Sequence, residues 1–227
     1  MAEVPAAGTK DRLLAAAAEL FAERGFHGTK ARDIAARAGV NLAAGHYHYG
    51  SKQDLYIEVL RRQFREIRAE LERRGARPPA ADLSRLPRAE LARMLRRRAK
   101  VMLDLLIGPP PGLHGTLMQR EMCDPSAALP VIVAEFIHPL QRETQRIIAQ
   151  LSPTLSRREV ERCAFSIIGQ ALFYRFAMPA VLHLLDAPAY PRGLAEELAG
   201  HIAEFSLGGV ERLGARGRRR PARRAAR

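Results

Sequence analysis

The chain has 227 residues, 47% of them hydrophobic, and a formal net charge of +13, enough for one small module joined to one larger domain with a sizeable core. No run approaches the ~18 apolar residues that a membrane-crossing helix needs, and residues 1–8 lack the basic start and apolar core of a signal peptide, so a cytoplasmic protein with no membrane partner is expected. Cys123 and Cys163 lie on apolar stretches without metal or redox spacing and read as buried, reduced thiols.

The positive charge is unevenly placed. Residues 1–52 hold 7 Lys+Arg against 5 Asp+Glu (+2), residues 53–213 hold 23 against 19 (+4), and residues 214–227 hold 7 arginines and no acid (+7). Charge therefore argues only for some anionic partner, and a DNA-reading module must be argued from a motif.

Every periodic segment repeats at three and four residues and none alternates at two, so the chain reads as all-α. Residues 1–8 are expected to be disordered. Leu13, Leu14, Ala17, Leu20 and Phe21 form the core face of a first helix ended by Gly25. Thr29 is expected to cap a second helix that turns Ile34, Ala35 and Ala38 inward and ends at Gly39, since glycine takes the left-handed conformation cheaply. Val40 anchors a tight turn and Asn41 caps a third helix showing Leu42, Ala43, Ala44 and His46, with Tyr47 and His48 following. Residues 9–55 thus form a three-helix, helix-turn-helix DNA-binding domain, and small groups at the start of its third helix suit close approach to a groove and contact with thymine methyls.

Ser51-x-x-Asp54 is a capping box that opens a long helix to about residue 74, with Tyr56, Leu60, Phe64, Ile67 and Leu71 inward and Lys52 beside the groove-facing surface. The expected DNA contacts are Thr29, Lys30, Arg32, Asn41, Leu42, Ala43, Ala44, His46, Tyr47, His48 and Lys52. Reading His46-x-His48 as a metal pair is weaker, because no third ligand converges in the stretch.

Residues 75–87, with three prolines, form a loop, and further helical faces appear at Leu91 to Leu106, around 116–122, at Leu129 to Leu151, at Val160 to Leu172 and at Leu194 to Phe205. Residues 56–213 are therefore a helical bundle, in which Ser156-x-x-Glu159 caps one start and Pro139 and Pro179 kink or divide helices. Arg96, Arg97, Arg98 and Lys100 read as a solvated helix face, and His114, His138 and His183 as ordinary boundary histidines. Residues 214–227 lack apolar periodicity and are expected to be a disordered basic tail. No Ser/His/Asp, Cys/His or paired-carboxylate arrangement emerges from the spacing, which argues against an enzyme, and no cofactor or metal is expected.

The run Ile34-Ala-x-x-Ala-Gly-Val40, then the aromatic and histidine cluster, then Gly50-Ser-Lys52, resembles the signature of the TetR family of bacterial transcriptional regulators over about residues 9–60. Asn41-Leu-Ala-Ala44, Met118-Gln-Arg-Glu-Met-Cys-Asp-Pro-Ser126 and Ser166-Ile-Ile-Gly-Gln170 are similar to one subgroup with its own type of C-terminal domain. Gly45 and His46 depart from the family, which usually has a branched aliphatic and a phosphate-bonding tyrosine there.

The resemblance implies a double-stranded DNA operator, a small-molecule effector and a homodimer formed through the last two long helices, about 157–185 and 194–213. It also implies an effector pocket, placed here on Met102, Met118, Phe136, Phe165, Gln170, Phe173 and Tyr174, although plain core packing explains the aromatic members equally well. A repressor released from its operator by the effector is the preferred reading. The alternative is an effector-independent structural DNA-binding protein.

Overall fold

The computed structural model describes residues 8–41, 43, 48–79, 82–108 and 113–219. Among these there is no strand. The helices are α1 (Thr9–Gly28), α2 (Ala31–Ala38), α3 (Lys52–Arg73), α4 (Arg88–Ile107), α5 (Leu113–Cys123), α6 (Leu129–Ile132), α7 (His138–Leu151), α8 (Arg157–Phe176), α9 (Met178–Leu184) and α10 (Leu194–Arg219). A 3-10 turn (Leu83–Arg85) precedes α4 and a π-helical segment (Val133–Ile137) joins α6 to α7. No single helix among the described residues is long and apolar enough to cross a membrane.

Capping boxes open α3 and α8. The Asp54 amide donates to Ser51 Oγ at 3.1 Å while the Ser51 amide donates to the Asp54 carboxylate at 3.2 Å, so the expected box opens α3. Ser156 and Glu159 make the same reciprocal pair at α8. Thr29 departs from expectation, because the N-cap of α2 is Lys30 and carries no side-chain cap bond. Gly25, with φ 73 and ψ 175, breaks the helical path where the helix was expected to end, and a short helical turn follows it to Gly28.

Pro139 has no amide to give the carbonyl four residues back, and the turn before it widens into the π-helical segment. At Pro179, α9 leaves α8 with a bend of 75°.

Two expectations near the cysteines and the C-terminus are corrected. Cys123 is exposed, while Cys163 is buried and its thiol is pushed up by burial and by Glu159. Residues 214–219 are helical: Gly214 is buried, its carbonyl accepts from the Thr154 hydroxyl at 2.9 Å, and a Cβ there would meet Ser152 Oγ at 2.0 Å. Packing thus carries α10 past the expected boundary, and arginine and alanine are strong helix formers that let it continue. Residues 1–7 and 220–227 of the expected disordered ends lie outside the described residues.

The helices gather into two compact units, one of Met1–Ile67 with Pro111–Ile137 and one of Arg68–Pro110 with His138–Arg227. This division differs from the sequence boundary at 55/56, and the reason lies in the first unit's core. Phe21 meets Tyr56 edge-on at 4.7 Å, Phe64 stacks on Phe136 at 3.9 Å, and Leu117, Ala128 and Ile132 are buried in the same cluster. The inward stripe on the first part of α3 is therefore completed by residues 113–137.

The second unit is a bundle of α4, α7, α8 and α10 around Leu95, Leu103, Ile147, Ile148, Ala164 and Ile202. Arg98, expected on a solvated face, is buried in it. Its guanidinium donates to Glu143 at 2.9 Å, to the Ala76 and Leu140 carbonyls at 3.0 Å each, and to Thr144 Oγ1 at 3.3 Å. Burial pulls its pKa down and the Glu143 carboxylate opposes that pull.

Candidate nucleic-acid interface

The candidate interface is built on α1 and α2. Ile34, Ala35 and Ala38 bury one side of α2, and exposed ion pairs link it to α1, Arg37 to Glu19 at 2.9 Å and Arg24 to Asp33 at 3.4 Å. Gly39 takes φ 65 and ψ 39. Its amide donates to the Ala36 carbonyl and the Val40 amide to the Ala35 carbonyl, a Schellman-type end that turns the chain sharply toward the recognition segment.

Asn41 and Ala43 are exposed beyond this turn, while Leu42, Ala44, His46 and Tyr47 lie outside the described residues. His48 is half-buried. Tyr49 closes the segment by donating its hydroxyl to the Lys10 carbonyl at 3.0 Å, and burial, with Glu58 and Asp11 adding, pushes its phenol up to about 12. The phenol therefore stays protonated, as a donor must.

The predicted contact residues separate into two groups. Lys30, Arg32, Asn41 and Ala43 reach the surface, with the Arg32 guanidinium 3.6 Å from Asp33. The side chains of Thr29 and Lys52 bond within the fold. Thr29 is 1% exposed and its hydroxyl donates to the Leu20 carbonyl at 3.1 Å and the Gly25 carbonyl at 2.7 Å. Lys52 donates to the Phe26 and Thr29 carbonyls at 2.9 and 3.0 Å, with its ammonium 4.2 Å from the centre of the Phe26 ring. Beside the kink at Gly25, these two side chains donate to carbonyls of α1 and to the carbonyl of Thr29 itself.

The sequence reading missed a second set of residues, on α5 and just after it. Arg120 donates to the Ala22 carbonyl through Nε and to the Glu23 carbonyl through a terminal nitrogen, both at 2.6 Å. Glu121, 1% exposed, accepts from the Tyr56 hydroxyl at 2.8 Å and from the Ser126 hydroxyl and amide at 3.0 Å each. Burial and this carboxylate push the Tyr56 phenol up. The signal was present, since these residues fall in the run from Met118 to Ser126 that carried the subgroup resemblance.

The expected effector residues do not form one cluster. Met118 and Phe136 belong to the core of the first unit, and Met102 and Tyr174 pack on the core of the second. Phe165 and Phe173 stand exposed on α8. Gln170 lines an open cavity of about 220 Å³ between α8 and α10, with Cys163, Ser206 and Phe205 also on its wall. Helical periodicity marks an inward face without saying which core it joins, and that is why the set scattered.

Residues 13–59 match the family described as bacterial regulatory proteins, tetR family, and residues 87–210 match the C-terminal domain of the HTH-type transcriptional dual regulator CecR. CecR of Shigella flexneri is 30% identical over 181 residues, covering 76% of this chain and 78% of its own. A TetR-family transcriptional regulator from Streptomyces coelicolor superposes with a TM-score of 0.64 at 21% identity, over 89% of this chain and 95% of its own. AibR, solved in complex with isovaleryl coenzyme A and operator DNA, gives a TM-score of 0.62 at 15% identity, over 87% and 97%.

Proposed function

Because this chain belongs to the TetR family of bacterial transcriptional regulators and carries a C-terminal domain of the CecR type, we propose that it is a cytoplasmic, homodimeric repressor that a small-molecule effector releases from its operator. It is a DNA-binding transcriptional regulator and not an enzyme. The proposal concerns the direction of control, the dimer and the effector.

The observation that carries the effector reading is Gln141. It is 5% exposed, in the second unit, and neither its Oε1 nor its Nε2 has a hydrogen-bonding partner among the described residues. A buried amide in that state costs stability, so it calls for a purpose other than folding. A polar effector group entering the bundle would satisfy both ends, and AibR supports such a site by its bound isovaleryl coenzyme A.

The dimer reading is supported by Phe165, Phe173 and Phe205, which expose large apolar surface on α8 and α10, with Leu184 and Leu185 at the end of α9. Gly169, Gly208 and Gly209 on the same two long helices leave open space where a Cβ would stand, which suits close approach of a second copy. Phe205→Glu should convert the dimer to monomer in sedimentation. An unchanged dimer would remove this face from the interface.

In the proposed mechanism the effector favours a state of the second unit that moves α3, so two recognition segments no longer match successive major grooves. The test is to select an operator from a randomised duplex library and transcribe from a promoter that contains it. Transcription should fall with added protein, and a compound that raises the protein's melting temperature should restore it. Reciprocity requires operator and compound to weaken each other's binding by the same factor. Transcription that rises with added protein, or a compound whose affinity is indifferent to saturating operator, contradicts the proposal.

A further inference from the structure

The kinked end of α1 presents a set of carbonyls to side-chain donors. Six carbonyl oxygens there accept from three side chains on three different segments. Thr29 takes Leu20 and Gly25, Arg120 takes Ala22 and Glu23, and Lys52 takes Phe26 and Thr29. Arg120 also lies over Gly25, where a Cβ would be 3.7 Å from its guanidinium. All of these residues belong to the first unit.

Two features indicate that the cations serve α1 and the turn after it. Lys52 is the first residue of α3, the end of a helix at which a positive charge is disfavoured, so its own helix gives no reason for a lysine there. Its ammonium instead lies at the C-terminal end of α1, where carbonyls and dipole favour a cation, and rests on the Phe26 ring. Arg120 reaches the same place from α5, far along the chain.

We propose that Lys52 and Arg120 are positioning residues for operator reading: they fix the α1–α2 turn, and through it the direction of α2 and the recognition segment, without acting as phosphate ligands. The inference rests on the operator-binding reading and deepens it. Reading base edges demands placement within hydrogen-bond tolerance, whereas binding to random DNA depends on charge near phosphates and tolerates small displacements. A lost positioning residue should therefore weaken operator binding more than random binding. Because the ammonium and guanidinium already bond to carbonyls, the number of counterions released should not change.

The experiment compares full-length wild type, Lys52→Met and Arg120→Met on the selected operator and on a random duplex of equal length, across salt concentrations, at a temperature at which all are folded. Each variant should lose about tenfold or more on operator and less than about twofold on random duplex, with an unchanged slope of log affinity against log salt. A slope lower by about 0.9 would make the residue a phosphate contact and overturn the inference. Equal losses on both duplexes would reduce it to ordinary folding stability, and no loss on operator would also overturn it.

If a methionine variant fails to fold, Lys52→Arg and Arg120→Lys keep the charge and change the geometry. They should still lose operator preference with an unchanged slope, and full recovery of preference would contradict positioning. A wild type that selects no sequence from the library would instead indict the operator-binding reading itself.

Discussion

The two units bury charge in opposite ways. In the first, the Glu121 carboxylate accepts from neutral donors, the Tyr56 hydroxyl on α3 and the hydroxyl and amide of Ser126. In the second, the Arg98 guanidinium faces the Glu143 carboxylate, which also receives Arg77, and takes two carbonyls and a threonine hydroxyl besides. Each group holds a part of the α3 region, Glu121 through Tyr56 and Arg98 through the Ala76 carbonyl just past the helix end. A fully bonded ion pair is costly to break from one side, whereas a carboxylate held by several neutral donors can lose one and keep the rest.

That contrast predicts a ranking of effects. Arg98→Ala should destabilise the chain by about 3–5 kcal/mol in denaturant unfolding, since it leaves the half-buried Glu143 without its closest cation and takes a donor from the Ala76 and Leu140 carbonyls. Tyr56→Phe should cost less, about 1–3 kcal/mol, because Glu121 keeps both bonds to Ser126. Equal costs would erase the distinction between the two units.

Gln141→Leu sharpens the comparison from the other side, since it removes a buried polar group that has no bonds to lose. It should stabilise the second unit by about 1 kcal/mol while abolishing the response to effector. A clear loss of stability would mean that the amide is structural and would withdraw it from the proposed site.

What the sequence made legible was local. Ser51 with Asp54, Ser156 with Glu159, and Gly39 act on amides within a few residues, so their spacing alone predicts their bonds. Thr29 was read as a cap, whereas its hydroxyl turns back to the Leu20 and Gly25 carbonyls. Arg98 looked solvated because a run of arginines carries no sign of which one turns inward. Phe136 was read on an inward face, and the structure places it, with Met118, in the core of the first unit, since the chain returns from the second unit to the first after residue 110. Leu42, Ala44, His46 and Tyr47, the heart of the expected reading surface, lie outside the described residues.

The central structural claim is that residues 113–137 are part of the unit that carries α1 and α2, bonded to α1 by Arg120 and to α3 by Glu121. Native-state hydrogen exchange on the full chain tests it most directly, because amides that open in one cooperative step share one opening free energy. The buried amides from Leu13 to Phe21 should share that energy with those of Leu117 and Ile132, and Tyr56→Phe should lower them together while leaving those of α4 and α7 unchanged. Exchange of Leu117 and Ile132 in step with α4 and α7, independent of α1, would contradict the claim.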